Sequence, residues 1–501
     1  MLIALFATLP LTAKAGANSQ QSTPNVATQA ADRELYLAYN ADNDTWVMYY
    51  DTEMSAHEGA VAYAPSGFGS SSGKKYEGGN LVLDASMKNY YRDDAQSFFS
   101  GINPKSISGF ENISSANFSQ NLYMMFGECS NLEKLDLSSF DTSGATIMYA
   151  MFADCSKLQT LDLSSFNTAN VTDMSLMFMF CYALKTIYVG EKFVTSSVYE
   201  SNGMFIECTN LQGYAAYDSN KTDATMANYI TGYFKAYVTH GGRKEDLDSD
   251  GENLHLWSTY EIDGYNNSFK INAPFKTYEA YFNRNLNKDG VNLKWGTLCL
   301  PFAFDKDIIE NVFHFYTYSG ISNSNNVPTI ILNEVEQIEA GTPVFYYNTN
   351  ETSDFEISIM GENIDVVAHP VDNESDAHDG YYLYGTFDEE PVESGYVLMN
   401  NSMWDVERLT QQSGSTVSTK PFRAYLKPAA GGGGIIHFGS SQLNFPDEST
   451  TTGINAVESL DMLNQQGTEI YDLNGRKQNG LKHGVNIVRG SNGKAIKVLV
   501  K

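Results

Sequence analysis

The sequence predicts a mostly β protein with short helical turns. A solenoid of about five repeats, each 26–27 residues long, precedes a β-sandwich and a small C-terminal β module. Three observations predict this order. A Met-Phe pair recurs through residues 98–211, short alternating apolar runs follow between residues 260 and 445, and the charge becomes basic at the end. A chain of 501 residues is long enough for several such domains.

The N-terminus has the features of an export signal. Residues 2–11 form an apolar run, and Ala13-Lys14-Ala15 follows as a small-x-small cleavage pattern. We therefore expect residues 1–15 to be a signal peptide and residues 16–31 a linker in a secreted protein. No other stretch reaches the ~20 apolar residues of a membrane-spanning helix. No transmembrane segment is therefore expected after the signal is removed.

Stacked repeats are expected over residues 98–240, with an amphipathic cap at residues 226–237. A degenerate copy begins at Phe98, and the later pairs recur at 26, 26 and 27 residues: Met125-Phe126, Met151-Phe152, Met177-Phe178 and Met204-Phe205. The alternation Leu135-Asp136-Leu137 predicts a half-buried strand with its leucines inward. Residues 172–178 are expected to form a short helical turn on the opposite side. One repeat buries too little apolar surface to fold alone, so neighbours must stack as a solenoid.

The outward positions of the stacked strands are the candidate binding surface, which we call the strand face. Stacked strands form a continuous ribbon, and such ribbons commonly bind other macromolecules. The alternative is that these residues are only solvated, because any outward strand residue must be polar. The strand face consists of Lys134, Asp136, Ser138, Thr160, Asp162, Ser164, Thr186 and Tyr188.

The repeated cysteines are expected to be buried thiols. Each lies three residues after a repeat phenylalanine: Cys129, Cys155, Cys181 and Cys208. A zinc site is disfavoured because no close Cys pair occurs. A disulfide stays open as an alternative, since stacked strands lie ~4.8 Å apart. Cysteine also serves as a small buried apolar residue, and this position recurs like a core position. Cys299 is expected to be a lone core residue.

The repeat pattern Met-Phe-x-x-Cys-x-x-Leu-x-x-Leu-Asp-Leu-Ser-Ser-Phe-x-Thr resembles the BspA-like leucine-rich repeats of bacterial surface proteins. Residues 36–50 are similar to the β-hairpin that opens such proteins, and residues 84–91 to the lead-in, so residues 32–97 are expected to form this part. The resemblance implies adhesion to a host extracellular matrix or epithelial protein, or to another bacterial surface component. No ligand motif carries over, because the repeated residues are scaffold residues.

Residues 241–259 are expected to be an acidic linker. The linker contains Asp246, Asp248 and Asp250 followed by Gly251, which matches the first half of a calcium loop. The twelfth position is Trp257, where such a loop needs a bidentate glutamate. Calcium is therefore kept only as a weak alternative, and no other metal or cofactor is expected.

Residues 260–445 are expected to be a β-sandwich, because short alternating runs occur there without a long helical pattern. Residues 295–302, 340–343 and 422–425 resemble a module found near the C-terminus of many Bacteroidetes-type surface proteins.

The last residues are expected to form a separate module at 467–501, after a linker at 446–466. From Asp472 onward, seven basic residues stand against that single aspartate, and such a reversal of charge marks a module boundary. Residues 470–477, 484–488 and 494–501 resemble the C-terminal sorting segment of the type IX secretion system. This resemblance implies the outer-membrane surface or the extracellular space of a Gram-negative bacterium. The alternative is a terminal hairpin that pairs with the sandwich.

The sequence favours a binding protein over an enzyme. It has no H-E-x-x-H and no G-x-S-x-G motif, and residues 67–75 lack the first glycine and final Ser or Thr of a phosphate loop. The net charge of −28 argues against nucleic acid and against an anionic membrane as partner. We therefore expect adhesion or protein binding without catalysis. A glycan-binding surface module and a structural surface-layer component remain as alternatives.

Overall fold

In the computed structural model, the chain is mostly β, as the sequence predicts. The structure describes residues 33–65, 79–100, 102–240, 243–263, 270–286, 294–309, 312–324, 327–349, 354–371, 374–399, 402–430, 442–443, 445, 469–472, 477–478, 484–489 and 495–500. Within them one α-helix occurs, α1 (Val406–Ser413). The short 3-10 helices span Met54–Ala56, Ala85–Asn89, Phe110–Asn112, Ser115–Phe118, Ala224–Met226, Lys306–Ile308 and Glu374–Asp376.

Several predicted segments lie outside the described residues. These are the signal peptide (1–15), the linkers (16–31 and 446–466) and the loop at 67–75. Across the part of the chain that is described, no helix combines the length and the apolar character needed to span a membrane.

An N-terminal hairpin continues directly into the repeats. Its strands pair antiparallel with Glu34 opposite Asp51. Residues 61–62 pair antiparallel with the first hairpin strand, and the strands at residues 80–83, 106–108 and 134–135 then join the second one in parallel, one after another. The six strands are β1 (Glu34–Asn40), β2 (Thr45–Asp51), β3 (Val61–Ala62), β4 (Asn80–Leu83), β5 (Ser106–Ser108) and β6 (Lys134–Leu135). Their order in the sheet is β3-β1-β2-β4-β5-β6.

Successive repeats lie side by side in parallel register. Strands β7 (Thr160–Leu163) and β8 (Thr186–Val189) pair with Thr160 opposite Thr186, one repeat later. On the opposite side, parallel bridges join Asn121 to Ile147, Ile147 to Asp173 and Asp173 to Glu200. Each repeat is therefore bonded to its neighbours along two sides.

The core between these sides is a column of stacked phenylalanines. The rings of Phe99, Phe126, Phe152, Phe178 and Phe205 are fully buried. Their neighbouring centroids lie 5.2, 5.2, 5.7 and 5.5 Å apart, with interplanar angles of at most 15°. Full burial of each such ring stabilises the fold by about 1.5–3 kcal/mol. Because every ring touches rings of adjacent repeats, no repeat forms its core alone.

The prediction of a short helical turn at residues 172–178 is wrong. Asp173 forms parallel bridges to the repeats on both sides, and residues 175–180 are consecutive hydrogen-bonded turns. Alternate amides donate to the next repeat: Leu176 N–H bonds Asn202 at 3.1 Å, and Phe178 N–H bonds Met204 at 2.9 Å. An α-helix would direct these amides back along its own chain. Leu176 instead adopts a left-handed conformation, with φ 57°, so the inter-repeat bonds prevail over the local helical spacing.

The last repeat is covered by residues 212–237. Phe234 is fully buried and its ring packs edge-on against Phe178, Phe193 and Phe205. Residues 241–259, expected as a linker, contain strands instead, because Leu247, Leu254 and Leu256 are buried. These strands and their neighbours are β9 (Tyr237–His240), β10 (Arg243–Asp246), β11 (Asp248–Ser249), β12 (Leu254–Leu256), β13 (Tyr260–Asp263) and β14 (Lys270–Ile271).

The following residues form several small sheets around two apolar clusters. The short alternating runs expected as strands are residues 297–304, 329–332, 342–347, 355–359, 381–387, 421–426 and 435–438. The first six overlap observed strands, and the last lies outside the described residues. The strands are β15 (Phe275–Asn285), β16 (Trp295–Leu298), β17 (Phe304–Asp305), β18 (Phe313–Ser324), β19 (Val327–Val335), β20 (Gln337–Ile338), β21 (Val344–Asn348), β22 (Asp354–Val366), β23 (Tyr381–Thr386), β24 (Pro391–Val392), β25 (Tyr396–Met399), β26 (Ser402–Asp405), β27 (Val417–Ser418), β28 (Arg423–Pro428) and β29 (Gln442–Leu443).

The C-terminal residues form a small antiparallel sheet with the order β31-β30-β32-β33. In the part of the chain that the structure describes, these strands pair with one another. They are β30 (Glu469–Asp472), β31 (Lys477–Gln478), β32 (Gly484–Arg489) and β33 (Ala495–Val500).

Candidate functional site

The strand face is exposed at its N-terminal end and partly covered at its C-terminal end. The alternation along β7 and β8 places Leu161, Leu163 and Ile187 in the core and the residues between them outward. Four strand-face residues are exposed: Lys134, Asp136, Ser138 and Thr160. The other four are half-buried: Asp162, Ser164, Thr186 and Tyr188.

A network of charged and aromatic side chains covers that C-terminal end. Asp162 accepts hydrogen bonds from Tyr237 Oη at 2.8 Å and from Lys244 Nζ at 3.2 Å. Tyr188 Oη donates to Asp246 at 2.8 Å. Lys244 Nζ lies 3.5 Å from the ring centroids of both Tyr188 and Tyr237. We call this network of Asp162, Tyr188, Tyr237, Lys244 and Asp246 the joint. Two of the strand-face residues, Asp162 and Tyr188, therefore already have hydrogen-bond partners within the same chain.

The electrostatics of the joint favour the charged carboxylate. Burial raises the pKa of Asp162, but the Ser164 hydrogen bonds and the Lys244 charge outweigh it and hold the pKa below its usual range. A carboxyl with a depressed pKa stabilises the fold above its ordinary pKa, and this contribution is lost as the pH falls through the lowered value. The joint is therefore a contact that acid weakens.

The three calcium candidates do not converge on one point. Asp246 bonds Tyr188 and also Lys235 Nζ, the latter at 3.2 Å. Asp250 accepts the amides of Asn253 and Glu252 and pairs with His255 Nε2 at 2.8 Å. These bonds lower the pKa of Asp250 to about 2. Asp248 is exposed in β11. Among the residues described, no group of three His, Cys, Asp or Glu side chains could hold a metal ion.

The cysteines are buried free thiols, as the sequence predicts. Their thiols donate to carbonyl groups of the preceding repeat: Cys155 to Phe126 at 3.3 Å, Cys181 to Phe152 at 3.1 Å and Cys208 to Phe178 at 2.9 Å. Burial raises the pKa of Cys208 to about 12 and that of Cys155 and Cys181 well above the ordinary value. They are core residues without nucleophilic character.

We expect all five cysteines of the chain to resist a thiol reagent at pH 8 in the folded protein and to react when guanidinium unfolds it. Because burial suppresses the thiolate, native modification should be slower by a factor of at least about 10². The rate of release of thionitrobenzoate from Ellman's reagent measures this. Rapid reaction of even one cysteine under native conditions would contradict the assignment.

A second outward surface, the turn face, was missed by the sequence analysis. It is an apolar cluster outside the phenylalanine column, on the side of the repeats opposite the strands. Tyr123 and Tyr149 stack at 4.9 Å with an interplanar angle of 3°. Phe180 and Tyr182 stack at 5.9 Å. The turn face consists of the exposed Tyr182 and Ile206, the half-buried Tyr123, Tyr149, Leu176 and Phe180, and the buried Met124, Ala150, Ala153 and Met179.

This surface has a sequence signal of its own. Apolar residues or glycine recur at two further positions of each repeat. The first position is occupied by Met124, Ala150, Leu176 and Gly203, and the second by Gly127, Ala153, Met179 and Ile206. Their apolar character is visible only after the core positions have been assigned. A Cβ added at Gly203 would lie within 3.1 Å of both Leu176 and Ile206, so these side chains cover the glycine. Tyr182 is 43 % exposed and Ile206 is 36 % exposed.

A polar cleft of about 210 Å³ lies next to the joint. Glu191 pairs with His369 at 3.2 Å at its rim. Lys270 Nζ donates to Ser164 Oγ at 3.0 Å. Burial raises the pKa of Asp388, against the opposing charge of Lys270. Two of the contacts in this lining, Glu191 with His369 and Lys270 with Ser164, thus join the repeats to later residues.

The chain matches a family model described as "Mycoplasma protein of unknown function, DUF285" over residues 93–230. These residues contain the Met-Phe repeats and the first part of the segment 212–237 that covers the last repeat. No curated protein matches the chain, and no solved structure matches it.

Proposed function

We propose that residues 98–240 form a leucine-rich-repeat solenoid and that the chain is a secreted cell-surface protein that binds a macromolecular partner without catalysis. The partner class is a host extracellular matrix or epithelial protein, or another bacterial surface component. The four-stranded sheet at residues 469–500 supports a separate C-terminal module, for which we propose a sorting role at the outer membrane.

The observation that carries the binding function is the turn face, where the apolar side chains of Tyr182 and Ile206 are exposed and those of Tyr123, Tyr149, Leu176 and Phe180 are half-buried. Contiguous apolar patches on soluble proteins mark interaction sites more often than chance exposure does. The column of buried phenylalanines and the inter-repeat hydrogen bonds hold this surface in one arrangement. A rigid surface binds at a lower entropic cost than a mobile one. The exposed strand-face residues, Lys134 to Thr160, offer a second and more polar surface.

The test is binding of the purified full chain to an array of matrix proteins, epithelial proteins and bacterial surface polymers. A variant with Lys134→Glu and Thr160→Arg changes the exposed strand face and leaves the joint intact. Saturable binding supports the function, and its loss in this variant assigns the strand face. If the folded chain binds nothing, the proposed function is wrong, and a structural surface component is favoured.

A specific observation favours glycan binding as a second candidate. Trp257 and Tyr278 are 56 % and 49 % exposed, and their rings lie 5.7 Å apart at 29°. The pairing of β15 with β22 shifts register between Thr277 and Glu279, so that Tyr278 lies at a bulge. Exposed aromatic rings of this kind provide an apolar surface with a polar edge, which suits the face of a sugar ring.

For this candidate, Trp257→Ala should weaken binding to a polysaccharide by about tenfold, since a ring contact contributes about 1.5 kcal/mol. Isothermal titration with soluble surface polysaccharide measures the change. Tyr199→Ala is the matched control, because Tyr199 is 77 % exposed and lies on the repeats. Equal affinity of the two variants would rule out this site.

A further inference from the structure

The turn face is acidic as well as apolar. Residues 121–130, 147–156, 173–182 and 200–209, which form the four turns, contain five acidic residues and no Lys or Arg. The acidic residues are Glu128, Asp154, Asp173, Glu200 and Glu207. Carboxylates without basic residues in the same segments create a negative potential, which favours a positively charged partner.

The carboxylates lie beside the aromatic rings. Glu128, Asp154, Phe180 and Glu207 occupy equivalent positions of successive repeats, and such positions lie about one strand spacing, ~5 Å, apart. The pKa of Tyr182 is raised, mainly by burial and then by the negative charges of Glu207 and Asp154. In the same way, burial and then Asp173 contribute to the raised pKa of Tyr123. The phenol rings thus lie within the field of the carboxylates.

We propose that the turn face binds a cationic, partly apolar polypeptide segment. This inference rests on the proposed binding function and names the partner class for that function. Lysine or arginine side chains pair with Glu128 and Glu207 and lie against the tyrosine rings as cation–π contacts. Apolar side chains of the same segment pack on Leu176, Phe180 and Ile206. The stacked repeats space these contacts evenly, as an extended segment requires.

A pair of matched variants tests the proposal in the full chain. The turn-face variant carries Glu128→Lys and Glu207→Lys. The control carries Glu111→Lys and Glu133→Lys, which change the net charge equally on exposed residues outside the four turns. Both variants are checked for folding by circular dichroism. A third variant, Tyr182→Ser, removes an exposed ring without changing the charge.

The probe is a synthetic dodecapeptide of lysine and leucine in equal numbers, titrated by fluorescence anisotropy. A peptide with glutamate in place of lysine is the comparison ligand. We expect the turn-face variant to bind the lysine peptide at least about tenfold more weakly than the control variant does. Tyr182→Ser should weaken it by about threefold to tenfold. The glutamate peptide should not bind.

Other outcomes overturn the proposal. Equal binding by the turn-face and control variants would mean that overall charge, and not this surface, attracts the peptide. Equal binding of the glutamate peptide would exclude charge complementarity. If the chain binds a polysaccharide and the turn-face substitutions abolish that binding, the occupant is a glycan. Binding to the protein array that survives the turn-face substitutions would refute this inference and leave the proposed function standing.

Discussion

Replacing Phe152 by alanine is expected to lower the free energy of unfolding of the repeats by about 3–5 kcal/mol. The ring is fully buried and lies 5.2 Å from that of Phe126 and 5.7 Å from that of Phe178. Its removal loses apolar burial and leaves a cavity. The neighbouring repeats cannot close this cavity, because hydrogen bonds fix their backbones on both sides. Urea denaturation and hydrogen exchange at the amides of residues 122–128 measure the loss.

Tyr199→Ala is the matched control, since it truncates an aromatic ring that is 77 % exposed. Its effect should stay within about 0.5 kcal/mol. A loss below about 1 kcal/mol for Phe152→Ala would mean that the core can repack, which contradicts a rigid column of rings.

The second substitution with a large expected effect is Gly213→Ala. It should lower the free energy of unfolding by about 3 kcal/mol, the upper end of the range for an overpacked core. A Cβ at this position would lie against the Cα, C and O atoms of Tyr233, which are backbone atoms that cannot rotate away. Tyr233 is fully buried beside Phe205. The substitution therefore pushes the cap off the last repeat. We expect faster hydrogen exchange at the amides of Ala215 and Tyr233, which are bonded within the cap.

Gly361→Ala provides the comparison, because a Cβ there meets nothing within 4 Å. It should change stability by no more than about 0.5 kcal/mol. If both glycine variants were equally stable, residues 212–237 would not be packed on the last repeat as closely as the structure has them.

The core of the repeats could be predicted because identical residue types recur at identical spacing. Phe126, Phe152 and Phe178 each contact the same residue in the next repeat, so local pattern and tertiary contact agree. The turns could not be predicted, because local spacing at residues 172–178 favours a helix and only the neighbouring repeat supplies the competing hydrogen bonds. Propensity is a weak guide where such contacts exist.

The partial covering of the strand face could not be predicted either. Lys244 contacts Asp162 across 82 residues of sequence. The segment Arg243-Lys244-Glu245-Asp246 has no apolar alternation that would indicate a strand. The segment is held in place by contacts of Lys244 with the Asp162 carboxylate and the rings of Tyr188 and Tyr237, which only the folded chain brings together. The turn face was missed for a different reason: its residue types change from repeat to repeat, and the two further positions at which apolar residues or glycine recur become visible only after the core positions have been assigned.

The direction of the inter-repeat hydrogen bonds has a mechanical consequence. These bonds join parallel segments side by side, so they point along the axis on which the repeats stack. A force along this axis loads the bonds of one interface at a time, whereas a force along the strands shears many together. Each repeat that detaches releases 26 residues, or roughly 90 Å of extended chain. Repeats pulled apart along the stacking axis are therefore expected to detach one after another and to dissipate work at each step.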